Sequence, residues 1–178
     1  MNHIGHHIPV LLKESIAGLN LKKSSIVIDA TADGGGHAAE LLKQLGSKGR
    51  LILLDWDLAM VSILKDKFRY ERRVKLFNLN FSNLEKVARS LKIRPDAIFF
   101  DLGLSSLQLS ASGRGFSFAR SEPLIMTYDT SIHPTAKEFL AEVNEETLKN
   151  IIERYGEERY AQRIAKAILE ARCKHQIE

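Results

Sequence analysis

Short strand-like runs alternate with amphipathic stretches along residues 25–101, and this alternation limits the folds open to the chain. The order strand, helix, strand predicts a parallel sheet with helices on both faces, because neighbouring parallel strands need a crossover connection. We therefore expect the α/β class with a Rossmann-like parallel sheet core. The predicted elements are strands over 25–30, 50–55, 73–78 and 96–101, and helices over 36–45, 57–69 and 82–92.

The sequence changes character on either side of this core. Residues 9–19 predict a helix, and residues 102–134 predict a long loop of the kind that is usually functional in a compact domain. Beyond it only helices are predicted, so we expect a principal domain over 1–133 and a helical appendage over 134–178. The appendage helices are expected over 135–142, 145–155 and 157–172, with core and interface positions at Ile151, Ile152, Tyr155, Tyr160, Ile164 and Ile168.

Composition excludes several classes of protein. The chain has 178 residues, 44% of them hydrophobic, which suffices for one sizeable core but not comfortably for two. Its single cysteine, Cys173, rules out an internal disulfide framework, and the N-terminus lacks the basic-then-apolar order of a secretory signal. No apolar run approaches the roughly eighteen residues that cross a bilayer. We therefore expect a cytoplasmic protein without membrane association.

Charge is unevenly distributed along the chain. The formal net charge is +4, but residues 65–94 contain ten Lys or Arg residues and three acids, a balance of +7. Such a stripe suits a phosphate backbone, and it equally suits a solvated helix face. Both interpretations stay open on this pattern alone.

The first predicted strand opens onto three consecutive glycines, Gly34, Gly35 and Gly36. Glycine lets a backbone approach a nucleotide that side chains would block. The second strand ends at Asp55, 26 residues after Asp29, where a ribose-binding carboxylate belongs. Together these features predict a nucleotide or nucleoside cofactor.

The glycine turn does not suit a diphosphate. It lacks the G-x-G-x-x-G spacing of dinucleotide-binding folds, and Asp33 would repel a pyrophosphate. S-adenosylmethionine (SAM) fits better, because it offers a ribose to Asp55 and positive charges that tolerate Asp29 and Asp33. A nicotinamide-dependent dehydrogenase is disfavoured for the same reasons.

An acid at the end of the fourth strand is a candidate catalytic group. Asp101 would lie at the carboxyl edge of the sheet, where it could orient an attacking amine, although an acid that caps a turn would give the same pattern. His37 opens the helix after the glycines, where its ring could contact the cofactor. His3, His6 and His7 have no Cys or acid at ligand spacing, so no metal site is predicted.

The long loop interleaves arginines with aromatic residues between glycines. Aromatic rings can stack on an unpaired base while guanidinium groups hold phosphates, which is how single-stranded RNA is often bound. The same pattern fits a loop that pins itself to the sheet through its two Phe side chains, and both can hold at once. The candidate substrate-binding residues are Arg114, Phe116, Phe118 and Arg120.

Several stretches are unusual strings: residues 7–14, 29–31, 35–37, 54–57, 80–82, 101–109, 114–118, 155–160 and 163–168. Together they resemble the RsmH (MraW) family, SAM-dependent methyltransferases of the N4 amine of a cytosine in small-subunit ribosomal RNA. The resemblance implies that the helices after Thr135 belong to an inserted substrate-recognition domain and that small-subunit RNA is the partner. It implies SAM contacts by Gly35, Gly36, His37, Asp55, Phe81, Asp101 and Gln108.

The chain also departs from the family pattern. The family usually has glycine at the position of Asp33, and an acid and an arginine at the positions of Ile125 and Thr127. Family members continue well beyond the point that matches Glu178, to complete the sheet with further strands. We therefore expect an incomplete sheet, with a second copy of the chain and a complementing C-terminal segment as the open candidates for covering its edge. The alternative to an active enzyme is a non-catalytic SAM- or RNA-binding remnant, or one half of a split methyltransferase.

Overall fold

The computed structural model describes residues 11–174 and places a four-stranded parallel sheet in the first part of the chain. The strand order is β3-β2-β1-β4, so the chain starts in the middle of the sheet and adds strands on one side before crossing to the other. This is a Rossmann-like arrangement and confirms the predicted fold class. The strands are β1 (Ile26–Asp29), β2 (Arg50–Asp55), β3 (Val74–Asn78) and β4 (Ala97–Phe99).

Helices cover both faces of this sheet. One apolar cluster joins the sheet to the first three helices, and another joins its opposite face to the fourth. The predicted first helix begins at Leu12, and its expected start at Pro9 lies outside the described residues. Within the described ranges, no helix is both long and apolar enough to span a bilayer. The helices are α1 (Leu12–Gly18), α2 (Gly36–Gln44), α3 (Leu58–Lys67) and α4 (Leu84–Ser90), with a 3-10 turn (Phe81–Asn83) before α4.

The period of two in each strand explains why the core has two halves. In β1, Val27 packs with the cluster under α2 and α3, while Ile28 packs with the cluster under α4. β2 behaves in the same way, and its four central residues are 0–1% exposed. Burial of each such side chain contributes about 1.5–3 kcal/mol to the stability of the fold. The inner strands β1 and β2 are therefore a stable support for the residues at their carboxyl ends.

A second compact unit begins at Leu107, whereas the first ends at Ser106. Its helices are α6 (Ala136–Glu142), α7 (Glu145–Gly156) and α8 (Ala161–Lys174). Thr135 and Glu138 form a capping box at the start of α6, and the side chain of Asn144 caps α7. A small core of Val143, Leu148 and Ala165 holds the last two helices together.

One sequence-based expectation is wrong in this region. Residues 106–111, expected to be loop, form the short helix α5 (Ser106–Ala111), because six residues are too few to show a helical period.

The expected core and interface positions of the appendage divide by burial. Ile152 and Ile168 pack against the core of the second unit, and Ile151 is half-buried. Tyr155, Tyr160 and Ile164 are exposed, so they are not core positions, and an interface role for them stays a prediction. Tyr160 also precedes α8, which begins at Ala161 and not at the expected residue 157.

Candidate cofactor site at the carboxyl edge of the sheet

The glycine turn lies between β1 and α2 and requires glycine at one position. Gly35 has φ of +74°, and a Cβ there would lie 2.9 Å from Leu64 Cδ2 and 3.0 Å from Phe68 Cε2. Helix α2 begins at the next residue, so its first backbone N–H groups lie at the carboxyl edge of the sheet. Asp33 has φ of +45°, a backbone conformation that glycine adopts without strain. The close approach of α3 therefore fixes the shape of this turn.

Lys67, at the end of α3, hydrogen-bonds to the backbone of the glycine turn. Its Nζ donates to the carbonyl oxygen of Gly34 at 3.0 Å and to that of Gly35 at 2.8 Å. Burial lowers the pKa of Lys67, and the charge of Asp33 acts in the opposite direction. Sequence analysis missed this residue, because no spacing relates a lysine on one crossover helix to a turn on another.

Asp29 is a buried carboxyl at the end of β1. Its Oδ1 accepts from the Thr31 backbone N–H at 3.2 Å. Burial raises its pKa from 3.8 to about 7, although the Thr31 bond lowers it, and the charges of Asp55, Asp101 and Asp33 raise it further. A ligand with positive charge would stabilise the ionised form of this carboxyl.

Asp55 is held in place at the end of β2. Its Oδ2 accepts from the backbone N–H of Asp33 at 2.7 Å, and its Oδ1 from that of Asp57 at 2.8 Å. Asn78 on the neighbouring strand donates to the Asp55 carbonyl oxygen at 3.0 Å. Burial raises the pKa of Asp55 to about 6, with the two backbone bonds opposing it and the charges of Asp33 and Asp57 adding to it.

Asp101 and His37 meet at the end of β4. His37 Nδ1 lies 3.4 Å from Asp101 Oδ2, and the imidazole packs on the Phe99 ring with centroids 4.7 Å apart. The Asp101 backbone N–H donates to Thr31 Oγ1 at 2.7 Å. The Asp101 side chain is 53% exposed, whereas that of His37 is 7% exposed. The carboxylate is therefore open to solvent on a fixed backbone.

Three buried polar atoms around the turn have no hydrogen-bond partner among the described residues: Asp29 Oδ2, Asp33 Oδ1 and His37 Nε2. Buried polar groups are nearly always satisfied in native proteins, so such a cluster indicates a place for a polar ligand. Two of the three atoms belong to carboxyl groups, which favours a ligand with hydrogen-bond donors and positive charge.

An aromatic pair borders this edge. Phe81, which follows β3, meets Phe100, which follows β4, edge to face at 5.8 Å between ring centroids. Their side chains are 45% and 44% exposed, which is unusual for Phe beside a core. Sequence reasoning found Phe81 through the family resemblance and did not find Phe100.

The remaining candidate residues lie in the second unit and divide by exposure. Gln108 and Arg114 are buried, and Arg114 Nη1 donates to the carbonyl oxygens of Thr127 and Tyr128. Phe116 is half-buried with its ring 5.8 Å from that of Tyr128, whereas Phe118 and Arg120 are exposed.

Six of the seven residues assigned to SAM by resemblance thus lie in the first unit, around the ends of its strands: Gly35, Gly36, His37, Asp55, Phe81 and Asp101. The terminal His3, His6 and His7 lie outside the described residues. In the part of the chain that is described, no group of three or more His, Cys, Asp or Glu side chains could hold a metal ion.

Comparison with known proteins decides the family. The model of the MraW methylase family matches residues 5–178. The chain belongs to the MraW methylase family. Similar curated proteins are each named ribosomal RNA small subunit methyltransferase H, and the chain is 42% identical to the one from Caldicellulosiruptor bescii and 42% to the one from Nitrosomonas europaea.

The MraW methylase relatives are longer than this chain. The match to the C. bescii protein covers 97% of the chain and 56% of that protein, and the match to the N. europaea protein covers 96% and 54%. The relative from Clostridium botulinum strain Kyoto is 38% identical over 97% of the chain and 56% of its own length. The chain therefore spans about half the length of the curated relatives it matches.

Proposed function

We propose that the edge formed by the ends of β1, β2 and β4 binds SAM for methyl transfer to the N4 amine of a cytosine in small-subunit ribosomal RNA. The single observation that carries this proposal is the cluster of buried, unpartnered polar atoms around an acidic glycine turn. A diphosphate would add negative charge to a cluster in which neighbouring carboxylates already raise the pKa of Asp29 and of Asp55, whereas a cation relieves that repulsion. The names of the relatives support the RNA substrate.

The residues present fit this cofactor. The Asp55 carboxylate would hold ribose hydroxyls, the backbone of Gly35 and Gly36 would admit the nucleoside, and the Phe81 ring would contact the base. SAM supplies, when bound, a methyl group on a positively charged sulfur. Asp29 and Asp33 offer unpartnered carboxyl oxygens to positive charge, and His37 Nε2 offers a further polar contact.

Asp101 is the proposed catalytic residue. Its exposed carboxylate would accept a hydrogen bond from the cytosine amine and direct the nitrogen lone pair at the methyl carbon. SAM would supply the methyl group and retain the sulfur as a neutral thioether, and Asp101 would take up the proton that the amine loses, directly or through water. Thr31 and His37 would keep this side chain in position, since they contact its backbone and its carboxylate.

The loop of the second unit is proposed to contact the RNA. Phe118 and Arg120 are exposed and could stack on a base and hold a phosphate. Arg114 and Phe116 contribute by fixing the loop, because Arg114 bonds to Thr127 and Tyr128 and Phe116 packs on Tyr128.

Transfer of labelled methyl groups to small ribosomal subunits tests the reaction. We expect transfer by the wild-type chain, and a loss of about a hundredfold or more in Asp101→Asn with SAM affinity within a few-fold of wild type. Glu146→Gln, at an exposed acid in the first turn of α7, is the control for net charge. SAM binding without any transfer would contradict methyl transfer by this chain and favour a cofactor-binding remnant.

A further inference from the structure

The basic stretch of the first unit is not used by the cofactor site. Residues 65–94 carry a net charge of +7, so the rest of the chain carries −3. Lys67 and Arg73 serve the fold, since Lys67 holds the glycine turn and Arg73 bonds to Glu71 and to the Leu45 carbonyl oxygen. The other eight basic side chains are exposed. Four of them precede or lie on β3, and we call these the β3 basic surface: Lys65, Arg69, Arg72 and Lys75.

Acidic residues neutralise little of this surface. Glu71 is paired with Arg73 at 2.6 Å, and Glu85 with Arg89 at 2.6 Å. Among the described residues, no ion pair involves a member of the β3 basic surface. Four solvated cations without a carboxylate partner create a positive potential that attracts polyanions.

The sheet topology brings these residues to one edge. β3 is an edge strand, and Lys75 lies on it. Lys65 lies on α3, the helix that leads to β3, and Arg69 and Arg72 lie in the short connection between α3 and β3. These four residues therefore lie beside the same edge of the sheet. None of them belongs to the cofactor site.

An exposed aromatic ring stands within this surface. The Tyr70 side chain is 86% exposed, and the Arg69 guanidinium lies 5.2 Å from its ring centroid. The Tyr70 ring therefore contributes little to the packing of the fold. An exposed ring among arginines and lysines is the combination that stacks on unpaired bases while cations hold the backbone.

We infer that the β3 basic surface is a second RNA-binding site, which holds the phosphate backbone while Tyr70 stacks on an unpaired base. This inference rests on the proposed RNA substrate and adds a surface that is separate from the loop carrying Phe118 and Arg120. Its role is affinity and orientation of the RNA, since backbone contacts position a nucleic acid without reading its sequence.

Two charge-matched variants of the full chain test the site. Lys65→Gln/Arg69→Gln/Arg72→Gln removes three cations from the surface, and Lys13→Gln/Lys22→Gln/Lys48→Gln removes three exposed lysines elsewhere. The probe is a labelled single-stranded RNA of about 16 nucleotides. We expect the first variant to bind about tenfold or more weakly at low salt, and its slope of log K against log salt to fall by about 2, since each contact contributes about 0.7. The control stays within about twofold, with an unchanged slope.

Tyr70→Ala tests the stacking contact separately. We expect about fivefold or more weaker binding of single-stranded RNA and no change for a duplex of the same sequence. Arg72→Gln/Lys75→Gln, before β3 and on it, gives a second surface variant should the first fail to fold.

Equal losses in the surface and control variants would overturn the inference, because they would reflect net charge alone. Stronger binding of anionic lipid vesicles than of RNA would also overturn it. A SAM titration of the same proteins separates the two proposals: wild-type chain that binds RNA as expected but not SAM contradicts the cofactor site and leaves the β3 basic surface standing.

Discussion

At the scale of single residues, Lys67 shows how one side chain can set the shape of a binding turn. Its ammonium group satisfies two carbonyl oxygens of the glycine turn from the side of α3. Its Cδ would lie 3.2 Å from a Cβ at Gly35, so its stem also limits what that turn can accommodate. The lysine therefore acts as a positioning residue for the proposed cofactor site.

Lys67→Met should weaken SAM binding. Methionine keeps most of the stem and loses both hydrogen bonds, so the turn would sample other conformations, and each lost bond is worth about 0.5–1.5 kcal/mol. We expect roughly 5-fold to 150-fold weaker binding by calorimetry, and faster amide hydrogen exchange at Gly35 and Gly36. Lys65→Met on the same helix serves as the control, and equal SAM affinity in the two variants would refute the positioning role.

The buried carboxyl of Asp29 should make stability depend on pH. Its pKa in the folded chain, about 7, is above its ordinary value of 3.8, so the folded state holds the proton more tightly than the unfolded state. The stabilisation is complete below about pH 4 and is lost as the pH rises through 7. We expect the free energy of unfolding of the ligand-free chain to fall over this window, by at most about 1.4 kcal/mol per pH unit for this proton. Urea unfolding of wild type and Asp29→Asn measures it, and parallel pH profiles would count against the assignment.

Asp33 combines backbone strain with unfavourable charge. Its φ of +45° suits glycine, and its charge raises the pKa of both Asp29 and Asp55. We expect Asp33→Gly to stabilise the chain by about 0.5–1 kcal/mol in thermal unfolding. Asp33→Asn removes the charge and keeps a side chain, so it separates the two effects. A destabilised Asp33→Gly would show that the carboxylate contributes more than its strain costs.

At the scale of elements, the glycine-hinged loop of the second unit divides into an anchored and an exposed part. Gly115 has φ of +79°, and a Cβ there would lie 2.6 Å from the Pro123 carbonyl oxygen, so the backbone folds tightly against itself. The Arg114 carbonyl oxygen accepts from the Met126 N–H at 2.8 Å. Phe118 stands outside this arrangement with a fully exposed side chain.

Phe118→Ala and Arg114→Gln should therefore have opposite signatures. We expect Phe118→Ala to leave thermal stability within about 0.5 kcal/mol of wild type and to weaken RNA binding, because the ring buries no surface in the chain. Arg114→Gln should lower stability by about 1–3 kcal/mol, since it removes the charged donor of the half-buried Thr127 and Tyr128 carbonyl groups. Calorimetry measures the stability of both variants, and RNA titration measures their affinity. A destabilised Phe118→Ala would contradict the assignment of Phe118 to the exposed part of the loop.

Strands and helices with a clear periodicity of apolar residues were predictable from the sequence. Hydrogen bonds between side chains and distant parts of the chain were not. The alternation of strands and helices, and the ends of β2 at Arg50 and Asp55, followed from apolar patterning. The predicted fourth strand shortened to Ala97–Phe99, and the expected helix over 82–92 divided into a 3-10 turn and α4. Strand and helix ends depend on hydrogen bonds to neighbours that local patterns do not record.

The candidate site shows the same division. Asp55 and Asp101 were found because strand ends point to the carboxyl edge of a parallel sheet. The bonds of Lys67, Thr31 and Asn78 were missed, since they join residues that are far apart in the sequence. Long-range contacts of this kind have no local pattern.

At the scale of the whole molecule, β4 leaves one edge of the sheet unpaired among the described strands, since it pairs only with β1. Ile98 on this strand is 40% exposed. The relatives are nearly twice as long as the chain. A second copy or a complementing C-terminal segment at this edge stays a prediction, and sedimentation of the chain alone and with the remaining segment of a relative would distinguish them.

Calorimetric titration of the chain with SAM and with NAD at pH 5.5 and 7.5 measures whether the acidic glycine turn binds a cationic nucleoside. We expect that SAM binds, that its affinity rises with pH as Asp29 and Asp55 ionise, that protons are released on binding, and that NAD does not bind. Binding of NAD without binding of SAM, or SAM affinity that is the same at both pH values, would rule out this function of the turn.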